Sequence, residues 1–496
     1  MFEPIKKLAV QAMMYGIGGI AARMVAFFLL PAFTYFLAPD EFGAYTLYYV
    51  AIAVAMNMFV LGQDTAMIHF YDPKESWIKR RTVFSTIFWL GLVVTTLLAA
   101  LLYFGSEFWV RLIINLEDPY PKWAVDTFKL CAWIIFLDTM AVYPMAALRK
   151  DEKVVLVNVL QLIRAIVQTG MTLIFLYKGW GLEGIFLANL ISSTTMLILC
   201  LPAVSYRLRA VFNWDILKAN LKFGLPNMPS VLFVAVVIDL SDRKILELIC
   251  GLKEAGLYAA GYRLGVFLAI VVTAFRSAWQ PFLHNFSDHP EARAMYGRVL
   301  TYYLAVVGWL YLLLTAYVEP LVTWTIPIVN RSLIAAEYWQ GLVIFPIVAF
   351  AHIFNGVYVV FMAGIYLKEK TRVTPVITGI AMAMNVVGNI LLIPHFGMWG
   401  AAWMTVAAYA SMAVMLYFYV NRHYNVSYEW ERVIHLGIVG GITFAFGVIG
   451  RLYGMQWLGY LVSLMFPLFL LLSGWMTPEE RTRIFALLGN RLKRNN

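Results

Sequence analysis

Apolar runs of about 20 residues recur along the whole of this 496-residue chain, and that pattern limits the fold more than any other feature. A run of that length crosses hydrocarbon as a helix, whereas a barrel strand needs only about 9 to 11 alternating residues, so the spans read as helices. Composition agrees, with 62% of residues hydrophobic and 13% charged, against about 25% charged in an ordinary soluble protein. The expected class is an all-α polytopic membrane protein. Cutting at charged or Gly/Pro-rich breaks gives about 14 transmembrane helices, near 10–37, 43–66, 82–104, 124–147, 154–177, 181–206, 223–247, 255–284, 299–318, 338–366, 374–393, 398–420, 433–451 and 455–475.

A net charge of +10 in a soluble protein would point to nucleic acid, but here the basic residues sit mainly in short loops between the spans. Most of the 38 Lys and Arg fall at the N-terminus, in the loops after even-numbered spans and in the tail, which predicts that both termini are cytoplasmic. Lys6 and Lys7 precede an apolar run too long for a signal-peptide core, so a retained first helix is expected. Cys131, Cys200 and Cys250 lie far apart without motif spacing, which suggests neither a disulfide framework nor a metal site.

The two halves repeat. Glu41-Phe42-Gly43-Ala44-Tyr45 returns as Glu254-Ala255-Gly256-Leu257-Tyr258, an offset of 213, and Gly181-Leu182-Glu183-Gly184 returns as Gly397-Met398-Trp399-Gly400, an offset of 216. Six-helix units in one membrane orientation are parallel repeats about an axis along the membrane normal. The expected organisation is therefore an N-lobe over 1–210 (spans 1–6) and a C-lobe over 211–425 (spans 7–12), two six-helix lobes in pseudo-twofold repeat. Two C-terminal helices over 426–476 and a basic amphipathic tail over 477–496 complete it. Thr477-Pro478-Glu479-Glu480 reads as a capping box that opens the tail helix, whose arginines would meet anionic headgroups.

Charges inside the spans are the functional signal, because each costs about 2.5 to 3.5 kcal/mol on insertion scales unless it faces protein, water or a polar ligand. Arg23 lies deep in span 1, where it either pairs with an acid such as Asp64, Asp138 or Asp239 or lines a cavity that binds phosphate. Asp239 and Arg243, four apart, share a helix face and can satisfy each other, while Asp242 and Lys244 lie nearer the outer end, within snorkelling reach. Asp138 and Arg164 read as a structural pair on neighbouring helices, and Lys129 as a snorkelling lysine. Arg263 and Arg276, thirteen apart, face different directions about 20 Å apart in depth, so they would grip a long ligand rather than one small anion. Arginine's planar fork suits phosphate and pyrophosphate, which makes Arg23, Arg243, Arg263 and Arg276 the candidate substrate-binding residues. Asp64, Asp138, Asp239 and Asp242 are the acids available for coupling to an ion. Pro31, Pro144, Pro226, Pro229 and Pro346 mark bends.

Several strings resemble the polysaccharide biosynthesis family of lipid-linked oligosaccharide flippases, within the multidrug/oligosaccharidyl-lipid/polysaccharide exporter superfamily. They are Pro39 to Tyr45, Phe223-Gly224-Leu225-Pro226, Asp242-Arg243-Lys244-Ile245-Leu246, Glu254 to Tyr258, Ala278-Trp279-Gln280-Pro281 and Asn385 to Gly400, and in order they cover nearly the whole chain. The resemblance implies two six-helix bundles in a V around a cavity lined by spans 1, 2, 7 and 8. It further implies movement of undecaprenyl-pyrophosphate-linked sugar units across a bacterial inner membrane for O-antigen, capsule or exopolysaccharide synthesis. Membrane lipids, a polysaccharide polymerase and chain-length machinery are the implied partners, with no cofactor.

Two other classes remain. A polymerase, ligase or other enzyme of the same pathway would want a large extramembrane loop, and no loop exceeds about 20 residues. A multidrug or cation antiporter of the same superfamily would want an acid-rich site, whereas arginine outnumbers acid in the candidate cavity. No P-loop or zinc-ligand pattern is present, so a non-enzymatic carrier driven by an ion gradient is expected.

Overall fold

The computed structural model describes residues 29–114, 121–225, 241–286, 292–326, 330–367, 373–424, 426–478 and 480. Its helices are α1 (Leu29–Phe36), α2 (Pro39–Val60), α3 (Gln63–Phe70), α4 (Trp77–Phe104), α5 (Ser106–Ile113), α6 (Lys122–Lys150), α7 (Val154–Tyr177), α8 (Gly181–Arg207) and α9 (Trp214–Gly224). They continue as α10 (Ser241–Cys250), α11 (Leu252–Phe286), α12 (Ala292–Thr323), α13 (Phe345–Phe361), α14 (Ala363–Leu367), α15 (Thr374–Phe396), α16 (Met398–His423), α17 (Trp430–Leu452) and α18 (Gln456–Leu472). A two-residue hairpin, β1 (Thr325–Ile326) with β2 (Arg331–Ser332), and a 3-10 segment (Ala336–Ile344) precede α13. Among the described residues eleven helical stretches are long and apolar enough to cross a bilayer, and the chain is an all-α polytopic membrane protein.

Local chemistry sets the boundaries. Pro39 opens α2 and the Glu41 carboxylate accepts the Ala38 N–H at 3.0 Å, satisfying a donor that the helix itself leaves free. Asn213 caps α9 by accepting from the N–H groups of Asp215 and Ile216 at 2.9 and 3.0 Å. Near the other end of the described residues the Thr477 N–H donates to the Glu480 carboxylate at 3.0 Å and the Glu480 N–H to the Thr477 hydroxyl at 3.4 Å, the reciprocal pattern expected of the capping box.

Two spans depart from the sequence expectation. Span 2 breaks at Leu61 and Gly62, both at positive φ, so the helix ends at Val60 and a short α3 follows at a new angle. In span 10, Pro346 does not bend a continuous helix. It stands in the first turn of α13, where its missing N–H has no partner to lose, and the preceding turns are 3-10. Pro226, Pro229 and the middle of span 7 lie outside the described residues.

Helices α2 to α8 pack on one another, as do α10, α11, α13, α15 and α16, and α12 packs against the pair α17 and α18. The first two groups are called here the first and second bundles. The end at which α2 and α11 begin is the upper end. There Gly43 and Gly256, from the two repeated motifs, bring backbone against backbone: a methyl group on Gly43 would collide with the Leu252 carbonyl, and one on Gly256 with the Pro39 carbonyl. Gly256→Ala is therefore expected to hold the upper ends of the bundles apart and to raise labelling of a cysteine at Tyr49 from that side. Unchanged labelling would mean that the contact yields without opening.

At the lower end the loops of the first bundle are tied by one carboxylate. Asp151 accepts from both Arg80 and Arg207, and the Tyr71 hydroxyl accepts from Arg80 at 2.9 Å and from Arg207 at 3.0 Å. Arg207 is only 3% exposed, so Asp151→Ala would strand buried guanidinium charge. The expected loss is about 3 to 5 kcal/mol, read as a lower unfolding midpoint in detergent. The linker helix α9 docks nearby, with Phe223 stacked on His69 at 4.2 Å and Gly224 closed against Gly62.

Candidate transport site

Helix α11 directs two kinds of side chain to two sides. Tyr258 and Tyr262, one turn apart, face the second bundle, whereas Arg263 reaches across to the first. Its guanidinium lies 5.3 Å from the ring centres of Phe33 and Phe42 and 5.2 Å from that of Tyr45, and its Nη2 donates to the Tyr45 hydroxyl at 3.0 Å. The other terminal nitrogen, Nη1, is buried and bonds to nothing, and no described carboxylate pairs with Arg263. Phe33 also packs 5.0 Å from Tyr45, and Phe42 meets Tyr338 edge-on at 5.7 Å, so the rings are fixed from both bundles. Neighbouring bonds close the same end: Tyr35 donates to the Ser332 carbonyl at 2.6 Å and Tyr338 to the Leu37 carbonyl at 2.9 Å.

The second polar centre lies inside the second bundle. Asp242 of α10 is 1% exposed, and its carboxylate accepts from Asn389 Nδ2 at 2.6 Å, from the Thr405 hydroxyl at 2.5 Å and from the Tyr258 hydroxyl at 2.9 Å. Ser241 donates to Asn385 Oδ1 at 2.6 Å, and Asn389 bonds the same oxygen at 3.1 Å. Three donors on one carboxylate suit its ionised form, which only accepts. Buried Asn389 Oδ1 has no partner. The sequence places Asp242 within snorkelling reach of the outer end; the structure instead encloses it among four helices. Sequence reading assigns no role to Asn385, Asn389, Thr405 or the Tyr258 hydroxyl, and for the two asparagines their i, i+4 spacing in an apolar span was the available signal.

The remaining candidates separate. Asp138 and Arg164 form the expected pair at 2.6 Å, with Ser193 accepting a further bond from Arg164 at 3.3 Å. Lys129 lies 3.5 Å from Asp126 and 5.9 Å from the Tyr103 ring centre. Arg243 is 8% exposed over the Tyr262 ring, within the second bundle rather than beside Arg263. Arg276 is exposed far along α11, and Asp64 is half-buried at the start of α3. Arg23 and Asp239 lie outside the described residues. A separate apolar groove of about 740 Å³ opens between the second bundle and the appended pair, lined among others by Phe350, Phe354, Trp403, Tyr417 and Phe444.

A family profile described as polysaccharide biosynthesis protein matches residues 32–327, more than half of the sequence and all of the Arg263 and Asp242 helices up to β1. The chain belongs to that family. No curated protein sequence matches it. Among solved structures, this family member is similar to the lipid II flippase MurJ in an inward closed conformation, at TM-score 0.73 and 14% identity over 92% of this chain and 99% of that one. It is also similar to an inward-facing multidrug resistance MATE family transporter of the MOP superfamily, at TM-score 0.68 and 13% identity over 84% and 97%. A third likeness is the MATE multidrug transporter DinF-BH, at TM-score 0.60 and 14% identity over 85% and 95%. At these identities the likenesses establish a shared fold.

Proposed function

We propose that this polysaccharide biosynthesis family member carries a lipid-linked oligosaccharide across the membrane by alternating access, gripping its phosphate-bearing headgroup with arginine. The observation that carries the reading is Arg263: a cation between two bundles, cradled by rings and a hydroxyl, with one buried N–H group bonded to nothing. A structural arginine in a bilayer ordinarily finds a carboxylate, as Arg164 does in Asp138. Phosphate oxygens match the guanidinium fork and would meet the requirement that Tyr45 meets only in part. Arg276, nearer the lower end, would contact the same long ligand at a second height, and Arg23 remains a candidate on span 1. The predominantly apolar groove beside the appended pair suits a prenyl chain.

Asp242 is the proposed coupling site. Its oxygen-rich, soft-donor-free surroundings, formed with Asn385, Asn389, Thr405 and Tyr258, suit a proton or a hard monovalent cation. Enclosure at 1% exposure fits a small ion rather than a drug cation at Asp242. The positive-inside pattern puts the lower end in the cytoplasm, with substrate loaded there and released at the upper face for a polymerase with its chain-length machinery. A bacterial inner membrane is the corresponding location. In cells lacking the protein, undecaprenyl-pyrophosphate-linked sugar units should accumulate on the cytoplasmic leaflet and be cleared when it is restored. Unchanged leaflet distribution, together with altered drug sensitivity, would support the antiporter instead.

A further inference from the structure

The Arg263 contacts join the proposed ligand-binding residue to the closure of the upper end. Phe42 and Tyr45 belong to α2 of the first bundle and Phe33 to α1, which packs on α2 and α7 of that bundle, while Arg263 belongs to the second. Separating the bundles at the upper end must therefore pull the guanidinium off three ring faces and off the Tyr45 hydroxyl. It must also part Gly43 from the Leu252 carbonyl and Gly256 from the Pro39 carbonyl. Glycine contacts supply fit without preference for any ligand, but the arginine cage is selective, because cation–π attraction is strongest for a desolvated cation and is lost when an anion neutralises it. The cage also leaves the cation incompletely satisfied, with Nη1 buried and unbonded, so a phosphate that reaches the guanidinium gains bonds the cage does not provide.

We propose that Phe33, Phe42 and Tyr45 are positioning residues that latch the upper end through Arg263, and that a phosphate-bearing headgroup opens the latch by competing with the rings for the guanidinium. Headgroup capture and release of the upper gate are then one event, which rests on the reading of Arg263 as the headgroup residue. The ligand shifts the equilibrium only because it binds the released arginine better than the caged one. An empty carrier stays shut at this end, which limits futile cycling and ion leak. The same logic makes Tyr45 a specificity element: it holds Nη2 in the closed state, and only an acceptor stronger than a neutral phenol displaces it.

The test uses the full chain with Cys250→Ser, since Cys131 and Cys200 are buried, and spin labels at the exposed upper-end positions Lys178 on the first bundle and His395 on the second. Distances are recorded in lipid nanodiscs with and without farnesyl pyrophosphate, with farnesol as the uncharged control. The wild type is expected to hold the short distance alone and with farnesol, and to gain a longer one with the pyrophosphate. A Phe33→Leu, Phe42→Leu protein should show the longer distance without ligand, its open-to-closed ratio raised about tenfold. Tyr45→Phe, which keeps ring and packing, should move the same way by a smaller amount. Arg263→Gln should open without ligand and ignore it. Cage variants that stay at the short distance, or a wild type that binds the pyrophosphate through Arg263 by calorimetry without lengthening, would overturn the latch while leaving the headgroup role standing. Absence of any Arg263-dependent binding would overturn both.

Discussion

Asp242→Asn is expected to abolish gradient-driven transport, by about 100-fold in initial rate, while leaving the protein folded and able to bind its lipid substrate. The substitution keeps the shape of the side chain. Thr405 and Tyr258 can turn their hydroxyls and Asn389 can exchange its amide ends, so each bond now made to Asp242 retains a partner. What is lost is the charge, and with it the means of holding a proton or a cation. The check pairs transport in proteoliposomes under imposed proton and sodium gradients with a thermal unfolding midpoint. A stable Asn variant that still responds to the gradient would remove Asp242 from the coupling. Asn389→Leu is a sharper companion, because it deletes the 2.6 Å donor without touching the acid and should weaken ion dependence before it abolishes transport.

Arg263→Ala is expected to lower transport at least as far as losing a charge-assisted pair implies, about 10- to 150-fold, with little loss of stability. The stability clause follows from the contacts. Removing a partner from a buried ion pair strands the other charge, but Arg263 has no described carboxylate partner, and its removal leaves only aromatic faces and one hydroxyl. Arg164→Ala is the control of opposite kind. It would leave Asp138, 5% exposed, without its 2.6 Å bond, and should destabilise by about 3 to 5 kcal/mol. Measuring transport and unfolding on both variants separates a ligand-binding arginine from a structural one. Arg263→Lys should fall between wild type and Ala, since it retains charge and loses the fork.

The spans were legible in the sequence because hydrocarbon thickness sets their length, and the observed helices begin and end within a few residues of the cuts for most of the chain. The break after Val60 was not, since Leu61 in a left-handed conformation carries no composition signal; it is Gly62 against Gly224 that fixes it. The Asp138 to Arg164 pair could be read from depth alone. Arg263 was visible as a charge in an apolar run, but its cage was hidden, because which three rings of a chain holding 34 Phe and 28 Tyr surround it depends on tertiary packing. Asp242 was visible as a charge, but its enclosure among four helices was not. Asn385, Asn389 and Thr405 passed as background, since uncharged polar residues are common in spans and only a buried acid beside them gives them meaning. In the first pair of similar motifs, Gly43 and Gly256 stand where the bundles touch, a use that the strings themselves do not reveal.

The central claim is that a lipid-linked oligosaccharide crosses the membrane on this protein. The most direct measurement is flipping of a purified undecaprenyl-pyrophosphate-linked oligosaccharide in proteoliposomes, read as the fraction of sugar reachable by a glycosidase in the outer compartment over time. The account predicts that exposure rises with wild-type protein under an ion gradient, slows by about 10- to 150-fold with Arg263→Ala, and is unaffected by a sugar-free cationic drug. Wild-type vesicles that expose no more sugar than protein-free ones, while exporting the drug under the same gradient, would contradict it.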